Sequence, residues 1–446
     1  MNRALTIEAG RSGTRTSDGA TRRTDAASGV PHPYEHLPGE PLSYEPLPYE
    51  TLRDRPRKGR GALSNRAGRF ERLATERIDD GWGQPLRPAP DAPATDTPAP
   101  DADRDDDADE LPPLATTVTP DTSRTVIARN ESPDIGFDRS INPYRGCEHG
   151  CVYCFARPSH AYLGLSPGLD FETQLFAKPD AAALLRRELA SPRYVPAPIA
   201  MGTNTDPYQP VERRLTITRQ ILEVLAEHRH PVSIVTKSAT VCRDIDILAP
   251  MAAEGLASVA LSVTTCDAGL ARVMEPHAAS PQRRLDAIEK LSRAGIPTTV
   301  MVAPVVPGLT DHEMEAILIR ARDAGARHAG YIVLRLPREL RDIFSEWLDT
   351  HAPQRKRRIL NRIRELRGGD LYRPEFGTRM TGTGPAADLL ATRFRLASRR
   401  LGYAARPTLD TRRFRQCHGL VTIAADERSA VNTAAKLAPA QLELFG

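Results

Sequence analysis

The chain has 446 residues, enough for two or three domains, but only 40% are apolar and 39 are proline, so part of it is not expected to fold. A formal charge of +4 hides strong local asymmetry. No run approaches the ~18 apolar residues of a membrane span. Residues 1–20 lack the apolar core of a signal peptide, so a cytoplasmic protein that does not enter membrane is expected.

Taken in order, residues 1–50 are polar and rich in Pro, Gly, Ser and Thr, with a near-repeat at Ser43-Tyr-Glu-Pro-Leu-Pro-Tyr-Glu50. Such a segment cannot bury enough apolar surface to offset its ordering entropy. A basic stretch follows around Arg53 to Arg60, then Asp79-Asp80-Gly81-Trp82, a short piece suited equally to docking on a core or a partner and to remaining a linker. Residues 88–112 form an acidic Pro/Ala/Asp linker. Residues 1–115 are thus expected to be mostly disordered.

Order is expected from about Thr116, with residues 117–129 extended. Strands are predicted at 138–142, 198–203, 232–236, 257–264, 297–303 and 329–335. Helices are predicted at 179–190, 212–228, 241–253, 281–294 and 310–324. This alternation implies an α/β fold with a parallel sheet. A full barrel takes ~250 residues, or ~30 per unit, so residues 116–337 hold about six units of a partial TIM-like (β/α)6 barrel. Residues 338–423 differ in character. From 335 to 415 there are 20 Lys/Arg against 9 Asp/Glu, a net of +11, with helices predicted at 338–349, 354–366 and 385–401. Residues 424–446 read as a flexible tail.

Three of the six cysteines stand in Cys147-Glu-His-Gly-Cys151-Val-Tyr153-Cys154. This does not read as a disulfide framework and fits a reducing cytosol. Soft thiolates suit iron–sulfur clusters, and three ligands leave a coordination site open for a ligand. Gly146 and Gly150 let the loop wrap one cluster. Two other readings stay open: a zinc knuckle with His149, His160 or a distant Cys as fourth ligand, and three free thiols. The spacing, with Tyr153 before the third cysteine, resembles the radical S-adenosylmethionine (SAM) superfamily. The resemblance implies a [4Fe–4S] cluster on Cys147, Cys151 and Cys154, with SAM chelating the fourth iron. It also implies a six-unit partial barrel.

From about Ser132 to Asp311 the chain looks most like the spore photoproduct lyase-like branch of that superfamily, a DNA-repair context. Met201-Gly202-Thr203-Asn204-Thr205-Asp206-Pro-Tyr-Gln-Pro210 follows the second predicted strand, and polar groups gather at strand C-termini in such barrels. The resemblance makes Gly202, Thr203, Asn204 and Asp206 candidate SAM contacts. Lys237 and Ser238 end the third strand, where a lysine could pair the SAM carboxylate. Ser262 and Thr264 end the fourth, Glu275 and Arg284 follow at matching places, and Ala303-Pro304 matches the segment along the SAM adenine. Two departures stand out. The branch has a cysteine at its second strand end, and residues 199–206 hold none. It also has a tyrosine after the third cluster cysteine, where this chain has Phe155. Cys242 and Cys266 sit near other strand ends.

The resemblance implies reductive SAM cleavage to a 5′-deoxyadenosyl radical, with an electron donor such as flavodoxin or ferredoxin. The basic C-terminal region, with Tyr372, Phe376 and Phe394 for stacking, makes DNA or RNA the first expected substrate, for repair or modification; a protein or peptide is the second. A zinc-stabilised nucleic-acid-binding protein without catalysis is the rival class. Gln441-Leu-Glu-Leu444-Phe445 resembles the peptide by which bacterial proteins dock on the polymerase sliding clamp.

Overall fold

Short β-branched runs such as Val232-Ser-Ile-Val-Thr236 alternate with helices, one of them opened by the Ser280 cap and Pro281, and the chain folds accordingly. The computed structural model describes residues 57, 59–71 and 114–416, all within one unit, Thr51–Gly446. The expected disorder of residues 1–50, Trp82, the acidic linker, Cys417 and the clamp-like Gln441–Phe445 lie outside the described residues.

Four strands come first: β1 (Thr117–Pro120), β2 (Ile127–Arg129), β3 (Arg139–Ile141) and β4 (Tyr144–Arg145). Beyond the cysteine loop come α1 (Asp170–Thr173), β5 (Gln174–Ala177), α2 (Ala181–Leu189), β6 (Ile199–Met201), α3 (Glu212–Leu215) and α4 (Ile217–Glu227). Then follow β7 (Val232–Thr236), α5 (Ile245–Ala253), β8 (Ala257–Ser262), α6 (Ala268–Met274) and α7 (Pro281–Arg293). The last repeat is β9 (Thr298–Val305), α8 (Met314–Asp323) and β10 (His328–Val333). A helical extension closes the described chain: α9 (Leu340–His351), α10 (Lys356–Leu366) and α11 (Pro385–Arg400).

Strands β3, β6, β7, β8, β9 and β10 pair in that order, all parallel, and β2 adds antiparallel to β3. This is the α/β partial (β/α)6 barrel that the alternation predicts. Because the six strands run the same way, their C-terminal ends line one mouth. Helices cover the sheet through residues spaced by turns: Ala181, Leu185 and Leu189 of α2, and Ile217, Ile221, Leu222 and Leu225 of α4, are all buried. Each such leucine or isoleucine contributes ~1.5–3 kcal/mol on burial.

The differences from expectation are local. The single extended segment at 117–129 is two strands in different sheets, since β1 joins β5 and β4 in a second, three-stranded sheet. The helix expected at 212–228 breaks at Thr216, whose φ is +52°. The one expected from 241 starts at Ile245, behind a 3-10 turn capped by the Ser238 side chain. Helix α6 was not anticipated, although Asp267 caps it by accepting from the Gly269 and Leu270 N–H groups. Residues 59–71, for which docking and linker were equally open, lie against the barrel. In the extension, buried Arg367 donates to the carbonyls of Val333, Leu334, Thr378 and Arg379, tying it to the end of β10.

Candidate active site at the barrel mouth

The cysteine loop follows β4 and is held by its backbone, which leaves the thiols free. Cys147 N–H donates to Phe171 O (2.8 Å), Val152 N–H to Met274 O (3.0 Å) and Cys154 N–H to Cys151 O (3.1 Å). Gln209 clamps the loop from the β6 side, accepting from Glu148 N–H (2.9 Å) and donating to Gly146 O (3.2 Å). Cys147 and Cys151 are buried and Cys154 is half-buried. Burial pushes the Cys147 thiol well up, with Asp206 and the two other cysteines adding to the rise. Burial also raises Cys151, against the pull of Lys237. Two buried thiols and a half-buried third form a donor set whose thiolate forms a cationic metal centre would stabilise.

Among the described residues no three His, Cys, Asp or Glu side chains converge as on one ion, the three thiols included. Of the two histidines considered as a fourth zinc ligand, His149 Nδ1 lies 3.3 Å from Asp206 Oδ2 and His160 Nε2 2.9 Å from Gln174 O, while His160 Nδ1 is buried with no hydrogen bond to other described residues.

The predicted SAM residues fall into two groups at the mouth. One group is bound up in bracing it. Tyr153 OH meets Thr264 Oγ1 (3.1 Å) and donates to Glu275; Thr264 Oγ1 also donates to Glu275 Oε1 (2.7 Å) and Ala303 O (3.2 Å), beside Pro304. Arg284, buried on α7, pairs with Glu275 and donates to Ser262 O (3.0 Å) and Ala279 O (2.7 Å). Asp206 accepts from Thr236 Oγ1 (2.6 Å), Lys237 N–H (2.7 Å) and Tyr208 N–H (2.9 Å). Burial works to raise the Asp206 pKa, but His149 and these donors outweigh it and hold it at about 2. Ser238 accepts from Thr240 N–H (3.2 Å), and Thr203 is hydrogen-bonded to Asn142. Gly202 has φ +83°, and a Cβ there would lie 1.9 Å from Val235 O, so only glycine lets β6 end against β7.

The second group is free to meet a ligand. Lys237 has no ion pair among the described residues; its ammonium sits 5.6 Å from the Tyr153 ring centroid. The Asn204 side chain and the Ser262 hydroxyl have no hydrogen bond to other described residues, although Ser262 is buried. These three, with backbone around Gly202, are the groups left for a zwitterionic ligand beside the thiols.

Several site-forming residues escaped sequence reasoning. Asn142 Oδ1 organises the 203–205 loop by accepting from Asn204 N–H (3.0 Å) and Thr205 N–H (3.4 Å). Gln209 clamps the cysteine loop, and the buried pair Arg157–Glu172 supports it. Arg335, just past β10, stacks 4.2 Å over exposed Phe155, close enough to Cys154 to feel its charge. Nothing in their sequence neighbourhoods signals these roles, because each partner is distant along the chain. Of the basic region, Arg393 pairs with Glu315, Lys356 with Asp349 and Arg362 with Glu365. Arg357 and Arg358 are exposed and have no ion pair among the described residues.

A six-stranded partial barrel with three thiols and a free lysine at its mouth defines a class of cofactor-binding α/β proteins. Residues 141–321 match the radical SAM superfamily. An uncharacterised protein of Mycobacterium tuberculosis is 39% identical over 252 residues, spanning 55% of this chain and 73% of its own. A radical SAM Nalpha-GlyT isomerase of Pseudomonas phage M6 is 28% identical over 173 residues, 38% of this chain and 34% of its own. Among solved structures, spore photoproduct lyase complexed with dinucleoside spore photoproduct superposes with a TM-score of 0.47 at 16% identity, covering 64% of this chain and 79% of that one. The chain belongs to the radical SAM superfamily. Membership implies a [4Fe–4S] cluster and SAM. No described helix is long and apolar enough to cross a membrane.

Proposed function

We propose that this chain is a radical SAM enzyme of the spore photoproduct lyase-like branch, acting on a nucleic acid. The observation that supports the reading is the placement of two buried thiols and a half-buried third near Lys237, which has no ion pair among the described residues, at the strand-end mouth. When bound, the cluster supplies the electron that cleaves SAM reductively to methionine and a 5′-deoxyadenosyl radical. Cys147, Cys151 and Cys154 would hold it. Lys237 would pair the SAM carboxylate, while Asn204 and the Ser262 hydroxyl would offer hydrogen bonds to its polar groups. Tyr153, Thr264, Glu275 and Arg284 keep the wall between β8 and β9 rigid, and Asp206 holds the cysteine loop against β7.

The mouth supports a polyanionic substrate. Arg335 has no ion pair among the described residues, stacks on Phe155 and is half-buried. Arg379 stacks 4.6 Å over exposed Phe376, with its guanidinium paired to Asp134. Aromatic–arginine pairs of this kind suit bases and phosphates together. A flavodoxin or ferredoxin would deliver the electron. Docking of Gln441–Phe445 on a sliding clamp belongs to the same reading, and titration of that peptide into the clamp tests it. The main test is anaerobic: reconstituted protein with reductant and SAM should form 5′-deoxyadenosine, faster with DNA or RNA than with peptide. Colourless protein with stoichiometric zinc would overturn the enzyme reading, and stimulation by peptide alone would overturn the nucleic-acid one.

A further inference from the structure

Residues 59–71 precede the barrel by more than forty residues, and their sequence suits docking and linker equally. They are nevertheless wired to the cysteine loop. The amide N–H groups of Gly61 and Ala62 donate to Glu172 Oε2 (3.0 Å) and Oε1 (2.8 Å). Glu172 is fully buried and also accepts from Arg157 Nη2 (2.5 Å). Arg157, equally buried, gives its remaining N–H groups to Cys151 O (2.9 Å), Gly150 O (3.1 Å), Gly168 O (2.8 Å) and Pro167 O (3.2 Å). One hydrogen-bonded path therefore runs from Gly61 and Ala62 through Glu172 and Arg157 to the backbone of Cys151.

The contact is also steric. A Cβ on Gly61 would lie 1.8 Å from Gly150 O, so the two backbones touch. Ala62 has no exposure and packs in one apolar cluster with Cys151, Val152 and Tyr153. Arg60 donates to Glu172 O (3.1 Å). Further on, Ser64 O accepts from Leu169 N–H (3.2 Å), Ser64 Oγ donates to Glu346 (2.7 Å), and Arg69 reaches both Glu339 oxygens (3.0 and 3.1 Å). A buried ion pair is tolerated only when its other lone pairs are satisfied. Without the strap, Glu172 loses two of its three donors, and Arg157 is free to follow it away from the loop carbonyls.

We propose that the strap 59–71 is a working part of the cluster site. Through the positioning residues Glu172 and Arg157 it sets the shape of the Cys147–Cys154 loop and keeps the iron–sulfur group in place. This rests on reading that loop as the cluster site. The test compares the full chain with Δ1–56, Δ1–71 and Glu172→Gln, checking fold by circular dichroism. Two readouts are taken: iron loss to a chelator after anaerobic reconstitution, and thiol-labelling rates in the metal-free chains by peptide mass spectrometry. Δ1–56 should match the full chain. Δ1–71 and Glu172→Gln should lose iron and label Cys151 about tenfold faster or more, the scale of one lost charge-assisted buried hydrogen bond, with Cys242 unchanged. Folded Δ1–71 and Glu172→Gln with wild-type rates would overturn the proposal. If Δ1–71 does not fold, the near-isosteric Glu172→Gln decides alone. Failure of the full chain to take up iron and sulfide would sink the cluster reading instead, while labelling of the metal-free chains still judges the strap.

Discussion

Lys237 and Asp206 are neighbours at one strand end with opposite fates. The Asp206 carboxylate is saturated by internal donors, whereas the Lys237 ammonium has no ion pair among the described residues and lies over the face of Tyr153. Lys237→Ala should therefore leave iron content intact and weaken SAM about 10- to 150-fold, the worth of a charge-assisted bond at ~1.5–3 kcal/mol, read by calorimetry on reconstituted protein. Cys151→Ala should prevent cluster assembly, while Cys266→Ala, away from the loop, should retain four irons. Asp206→Asn should act on stability, costing about 1–3 kcal/mol in urea unfolding of the metal-free chain. The Asp206 pKa of about 2 lies below its ordinary 3.8. Its stabilisation is thus complete above the ordinary value and is lost as the pH falls through 3.8 toward 2. The wild type should lose more stability than Asp206→Asn across that window, and parallel pH profiles would contradict the assignment.

Helix α9 reaches the cysteine loop through one indole. Trp347 is fully buried, stacks 5.9 Å from Phe344 and donates Nε1–H to Val273 O (3.0 Å). The next residue, Met274, accepts the Val152 N–H of the cysteine loop. Trp347→Ala should cost about 3–5 kcal/mol by cavity formation, and Trp347→Phe, which keeps most of the apolar area, distinctly less. Both should speed iron loss if α9 supports the loop. Helix α10 turns Ile359, Ile363 and Leu366 inward and leaves Arg357 and Arg358 exposed without ion pairs. Changing both to Ala should lower the salt dependence of nucleic-acid binding by about 1.8 in log–log slope, two phosphates at about 0.9 each. An unchanged slope would place the polyanion elsewhere, with Arg335 and Arg379 the next residues to change.

Across the molecule, the six parallel strands and the helices between them were legible because their signals are local. Period-two and period-3.6 burial, the Ser280–Pro281 start of α7 and the Gly295 stop all act within a few residues. The cysteine spacing was legible for the same reason, since a three-thiol loop is a contiguous device. Strands β4 and β5 were not, because they stand outside the β/α alternation that made the equally short β3 and β6 legible. Nor were roles that depend on who meets whom. Sequence brought Asp206, Thr264, Arg284 and Lys237 forward as one set of candidates, and only the packed barrel divided braces from free groups. Glu172, Arg157, Asn142 and Gln209 gave no signal, because a buried polar side chain is defined by its partners, and these lie up to 111 residues away. The composition of residues 59–71 left docking and linker equally open for an equally physical reason. Their contribution lies in backbone N–H groups and a glycine's missing Cβ, which every sequence offers and only tertiary contact puts to use.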